Sequence, residues 1–186
     1  MTEALGYRPG LDQPELDWKG AVPVATRFDD PYYSLENGLA EADYVFLDGN
    51  GLPERLSDGF HIAELGFGTG LNMLATARAW QGPGRIRFTS FEAHPLETTQ
   101  IARALAAFPE LDPAPFLAAW SKGARQIALD GLDLEVIEGP AAETLPQWHG
   151  AADAWYLDGF APAKNPALWT PELMAQVLQF FTIIIK

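Results

Sequence analysis

The sequence predicts an α/β fold with a mostly parallel sheet, and three observations carry that expectation. Beyond Phe60, short apolar runs alternate with helical stretches, the rhythm of repeated βα units. Four of those runs end in an acid, a glycine or both, the residues that build sites at the carboxyl edge of such sheets. Finally, 186 residues with 48% apolar side chains can bury one sizeable core and are too few for two ordinary domains.

Residues 1–58 read as an N-terminal extension, with 12 acids against 4 bases and little periodicity. Within it, YVFLDGNGLPERL alternates apolar positions and breaks at Asp48–Gly49–Asn50–Gly51, which predicts a β-hairpin there. Residues 59–186 read as the core. Its first strand is predicted at Phe60–Leu65, followed by a glycine cluster and a helix with Leu71, Leu74, Ala75 and Ala79 near one face. The second runs from Ile86 to Phe91, ends at Glu92, and leads to a helix carrying Ile101, Leu105 and Phe108. Leu132–Ile137 and Ala154–Leu157 supply two more strands. Thr170, Pro171 and Glu172 then open a last helix with an N-cap, a first-turn proline and a first-turn acid. Thr182–Lys186 reads as the start of a fifth strand, so the sheet is expected to be truncated at its C-terminal side.

The formal charge of -13 argues against a phosphate backbone as partner. The absence of cysteine excludes disulfides, thiolate metal sites and thiol nucleophiles. An N-terminus rich in acids and prolines is unlike a signal peptide, and no run approaches the length of a membrane span, so a cytoplasmic soluble protein is expected. His61, His94 and His149 lack metal-ligand spacing, and no metal is expected.

The cluster Glu64–Leu65–Gly66–Phe67–Gly68–Thr69–Gly70 lies between a strand and a helix N-terminus, where glycines let a ligand approach the backbone closely. A dinucleotide fingerprint needs glycines at positions one, three and six; here they fall at one, three and five, with Leu71 sixth. The spacing resembles motif I of class I S-adenosylmethionine methyltransferases, whose fold is Rossmann-like. A nicotinamide or flavin nucleotide and a purely structural turn are the competing readings. Glu92, 22 residues beyond Gly70, stands where an acid accepts both hydroxyls of a ribose.

The string DAWYLDGFAPAKNPALW places Asp158 at a strand end and fixes the following loop with Gly159, Pro162 and Pro166. Asp158 is the candidate to accept a proton or N–H bond from an amine acceptor, and Lys164 is a second catalytic candidate, which can equally pair with a phosphate, pair with Asp158 or simply be solvated. Trp155, Phe160 and Trp169 could contribute one stacking face.

FDDPYYSLENGLAEADYVFLDGN, ELGFGTGLN, DAWYLDGFAPAKNPALWT and, more weakly, SFEAHPL and FPEL resemble the methyltransferase domain of the bifunctional MnmC-type bacterial enzyme and its stand-alone relatives. That family completes 5-methylaminomethyl-2-thiouridine at the wobble position of tRNA. The resemblance implies methyl transfer from S-adenosylmethionine to the amine of 5-aminomethyl-2-thiouridine. It places Glu64, Gly66, Gly68, Gly70, Asn72, Glu92 and Asp158 around the cofactor, and Asp158 at the amine. Tyr32, Asn37, Phe160 and Pro162 fall to the substrate side. It implies tRNA as partner, and a flavin (FAD) only where an oxidoreductase domain, fused or separate, accompanies the methyltransferase. The alternatives are another amine substrate or an inactive cofactor-binding fragment. Relatives carry Gly-Asp where this chain has Gly139–Pro140, which implies weaker adenine recognition, and Glu138 faces the other side of an extended strand. The acid excess before residue 59 leaves tRNA contacts to a patch around Arg27 and Lys164 or to another segment.

Overall fold

The computed structural model describes residues 14–182. Its centre is a five-stranded sheet of β4 (His61–Leu65), β5 (Ile86–Glu92), β6 (Gln126–Leu129), β7 (Leu132–Glu138) and β8 (Ala154–Leu157). The spatial order is β6-β7-β5-β4-β8. Every pairing is parallel except β6 against β7, which run antiparallel through a two-residue turn, Asp130–Gly131. The four strands read from the sequence are thus present, together with β6, an antiparallel strand whose signal was the Asp-Gly turn.

Alternation along the buried strands divides the core in two. Ile62 and Phe88 face the side covered by α2 (Leu71–Ala79), α3 (Thr98–Leu105) and α4 (Ala114–Trp120). Ala63, Leu65 and Phe91 face the side covered by α5 (Ala141–Thr144) and α6 (Pro171–Gln179). Parallel strands buried on both faces read as continuous apolar runs for this reason. The Thr170 hydroxyl caps α6 by accepting from the Leu173 N–H, and Leu173 and Val177 are the residues that helix buries.

The predicted hairpin at residues 48–51 is not there. α1 (Gly38–Ala42) runs on into a π-helical turn over Asp43–Leu47 and a 3-10 turn over Asp48–Asn50. The Asn37 side chain starts this run by accepting from the Ala40 N–H. Leu39, Ala42, Leu47 and Leu52 are buried and Phe46 packs against the Tyr156 ring, so tertiary packing overrides the strand-like alternation. The N-terminal hairpin lies earlier, where β1 (Leu16–Lys19) and β2 (Val22–Ala25) pair antiparallel around Gly20–Ala21. The short β3 (Asp30–Pro31) adds to the other edge of β2.

Of the fifth core strand expected over residues 182–186, residues 183–186 lie outside the described residues. Just before it, Phe181 bridges in parallel to Ala152, and the Thr182 N–H donates to the Ala152 carbonyl at 2.7 Å.

Candidate active site

β4 lies at the centre of a reversal in the order of the sheet, with β5 on one side and β8 on the other. Loops leaving the carboxyl ends of β4 and β8 start side by side, and open α/β sheets bind ligands at such a point. A cleft of about 1490 Å³ opens there. Single small-molecule pockets span roughly 300–1,000 Å³, so this cleft has room for two reactants. Gly66, Gly68, Asn72, Glu92, Asp158, Phe160 and Tyr32 line it.

The glycine loop passes so close to β8 that a Cβ at Gly66 would collide with the Asp158 carbonyl oxygen, and φ there is +90°. A side chain at this position is excluded by both space and conformation. The Asp158 N–H donates to the Leu65 carbonyl at 3.1 Å, extending the parallel ladder and fixing where the carboxyl leaves the strand.

Four side chains then form one network. The Ser90 hydroxyl donates to Glu64 Oε2 at 2.7 Å. Asn72 Nδ2 donates to Glu64 Oε1 at 3.0 Å and to Asp158 Oδ2 at 2.6 Å. Glu64 is 1% exposed and lies behind the cleft wall. Burial, with the Asp158 charge next in size, pushes its carboxyl well above the usual range. Asp158 is pushed up to about 7, chiefly by removal from water and against the opposing effect of the Asn72 hydrogen bond, with Glu41 adding repulsion. A carboxyl that titrates near neutrality and opens on a cleft suits proton transfer.

Glu92 closes the other end of the loop. Its Oε2 accepts from the Gly68 N–H at 3.0 Å and its Oε1 from the His94 N–H at 2.7 Å. The carboxylate is therefore oriented at the end of β5, with lone pairs left over for hydroxyl donors.

The loop after Asp158 leans on the N-terminal sheet. Phe160 stacks on Phe28 at 4.8 Å and meets Tyr32 edge-on at 5.1 Å. Burial, with Glu92 nearby, raises the Tyr32 hydroxyl so that it keeps its proton. Lys164 donates to the Asp29 carbonyl and to Asp30 Oδ1 at 3.1 Å, while the Ala161 N–H donates to Asp30 Oδ2 at 2.9 Å. The structure thus places Lys164 in a clasp between loop and β3, outside the cleft lining, and not beside Asp158 as a catalytic partner. Asp30, within the FDDPYYSL string, is the other half of that clasp, and the sequence reading assigned it no role.

Other expected positions divide similarly. Asn37 caps α1, and neither it nor Pro162 lines the cleft. Gly70 is the N-cap of α2, behind the lining residues. Trp155 is buried on the far face, stacked on Phe91 at 6.2 Å, which removes it from the expected stacking surface. Trp169 donates its Nε1–H to the Phe160 carbonyl at 2.9 Å and so braces the loop. At the end of β7, Pro140, Ala141 and Ala142 line the cleft, while Glu138 is paired with Arg125 on the outer side.

Residues 112–182 match a family described as S-adenosyl-L-methionine-dependent methyltransferase. The chain is 45% identical over 186 aligned residues to the tRNA 5-methylaminomethyl-2-thiouridine biosynthesis bifunctional protein MnmC of Aeromonas salmonicida, covering 88% of this chain and 28% of that protein. It is 42% identical to the protein of that name from Caulobacter vibrioides, covering 87% and 30%. The chain is homologous to the MnmC proteins over most of its own length. The crystal structure of MNMC2 from Aquifex aeolicus superposes with a TM-score of 0.70 at 24% identity, over 87% of this chain and 53% of that one, which establishes the shared fold. The chain spans about 28% of the length of the Aeromonas protein it matches. The matched family description names the cofactor, S-adenosyl-L-methionine. The site fits it: a backbone loop in which a Cβ at Gly66 has no room, an oriented acid at the end of the neighbouring strand, and a second acid facing the open cleft. Among the described residues no helix is long and apolar enough to cross a membrane.

Proposed function

We propose that this chain methylates the primary amine of 5-aminomethyl-2-thiouridine at the wobble position of tRNA, using S-adenosylmethionine and giving the 5-methylaminomethyl product. The observation that carries this reading is Asp158: a carboxyl titrating near 7 at the floor of a cleft, between the glycine loop and the Phe160 ring. When bound, the cofactor supplies an electrophilic methyl group on a sulfonium.

The residues of the chain supply the rest. Backbone of Gly66–Gly68 and the Glu92 carboxylate bind and orient the donor. An alkylamine with a pKa near 10.4 holds its proton at pH 7, and freeing the lone pair costs about 4–5 kcal/mol. Ionised Asp158 takes that proton or its hydrogen bond, so nitrogen attacks as a neutral amine; the N–C bond forms as the S–C bond breaks. Alignment in the cleft contributes more, on the order of 7–11 kcal/mol. Phe160, braced by Phe28 and Tyr32, offers an aromatic face for the base. Arg27, within 3.3 Å of His94 and over the Phe28 ring, offers a cation for a phosphate at the rim. A flavin-dependent domain that removes a carboxymethyl group would supply the amine, as a fused or separate partner.

Methyl incorporation into tRNA lacking the modification, compared with mature tRNA, tests the reading. The wild type should label only the undermodified tRNA, and Asp158→Ala should lose at least about a hundredfold in kcat. Full activity in the variant removes the role given to Asp158. Equal labelling of both tRNAs, or of free amines instead, favours another amine substrate.

A further inference from the structure

We propose that Asn72 is a positioning residue for the transfer, its one amide nitrogen holding the Asp158 carboxylate in its working orientation while anchoring it to the buried Glu64. This rests on the role given to Asp158 above. Asn72 is 7% exposed and sits in the first turn of α2, so its side chain is fixed by the helix that the glycine loop starts. Its Nδ2 carries two hydrogens, and the two acceptors at 2.6 and 3.0 Å belong to different carboxyls. The amide that family resemblance assigns to the cofactor is therefore committed to the acids behind and beside it.

The arrangement makes the two carboxyls unequal. Glu64 is sealed, its donors are neutral, and burial raises its carboxyl well above the usual range, which favours the protonated form. The negative charge is better placed on Asp158, whose ionised form the short hydrogen bond from Asn72 favours. Of the acids near Asp158, Glu64 on β4 shares the Asn72 donor with it, and Glu41 on α1 opposes its ionisation by charge. The ammonium of Lys164, on the same loop, is engaged with Asp29 and Asp30. Asn72 is thus the donor that keeps Asp158 basic at a working pH.

Asn72→Leu tests this by removing the donor at similar volume. Loss of a hydrogen bond to a charged group should move the acid limb of kcat for undermodified tRNA upward by about one pH unit. At pH 7 the rate should fall roughly fivefold and recover to within about threefold of wild type at pH 9, with cofactor affinity changed less than about threefold. An unshifted limb, or an equal loss at every pH with weakened cofactor binding, overturns the proposal. Carbon-13 NMR titration of the Asp158 carboxyl in the whole chain reads the same shift without substrate. A wild type that methylates nothing then sinks the methyl-transfer reading alone. Should Asn72→Leu fail to fold, the wild-type Asn72 side-chain amide signals must move with the Asp158 midpoint, and signals that stay still refute it.

Discussion

Pro140 shows how much one residue can set. It lines the cleft at the end of β7, where the family resemblance leads one to expect an acid facing the adenine amino group. The nearest acid, Glu138, is the last residue of β7, two positions earlier, and its carboxylate is paired with Arg125. The cleft wall at that point is formed by Pro140, Ala141 and Ala142, with no carboxylate among them. Pro140→Asp should tighten S-adenosylmethionine binding by about tenfold, the worth of one hydrogen bond to a charged acceptor, measured by calorimetry. No gain would show that the wall of the cleft, not the missing acid, sets affinity.

At the scale of elements, the clasp of β3 on the loop after β8 decides whether Phe160 faces the cleft. Lys164→Met removes the ammonium from Asp30 and Asp29 and should raise the KM for tRNA by about three- to tenfold while leaving cofactor affinity unchanged. Asp30→Asn should act in the same direction, since Asp30 also accepts from the Ala161 N–H. An unchanged KM in both variants would mean that the aromatic stack of Phe28, Phe160 and Tyr32 holds the loop unaided. This element is also where sequence reading reached its limit. β4, β5, β7 and β8 were legible because buried parallel strands are short apolar runs between turn residues, and Asp158 and Glu92 were legible because they stand at the ends of those runs. The clasp was not, because it joins side chains 134 residues apart that carry no shared pattern. Residues 43–50 misled for the opposite reason: Tyr44–Leu47 has strand-like composition, but a capped helix upstream and packing on Tyr156 keep it helical. β6 was marked only by Asp130–Gly131.

Across the whole molecule, buried titratable groups should set how stability varies with pH. Asp158 titrates at about 7 in the folded chain against roughly 3.9 when unfolded, so it destabilises the ionised fold above pH 7. That penalty fades as pH falls, and Asp158→Asn should be more stable than wild type at pH 8 by roughly 1–2 kcal/mol while losing activity. His61 acts oppositely. It is buried, bonded to Thr89 at 2.8 Å, and lowered to about 4 chiefly by burial and then by Arg87. Below about pH 6.5 the unfolded chain takes up a proton that the folded one refuses until about pH 4, and stability is lost across that window. His61→Gln should therefore match the wild-type pH dependence above pH 7 and lose less stability between pH 6.5 and 4, as read by urea unfolding. A constant difference at all pH values would assign His61 to packing alone. The clasp has a further consequence, for the order in which the protein assembles. Asp30 and Lys164 meet across 134 residues and Asn72 and Asp158 across 86, whereas β4 and β5 are neighbours along the chain. Closing long loops is slow relative to local pairing. The cleft should be the last region to form after synthesis and the first to exchange its amide hydrogens, so that a binding site exists only once the loop carrying Lys164 has docked on the N-terminal sheet.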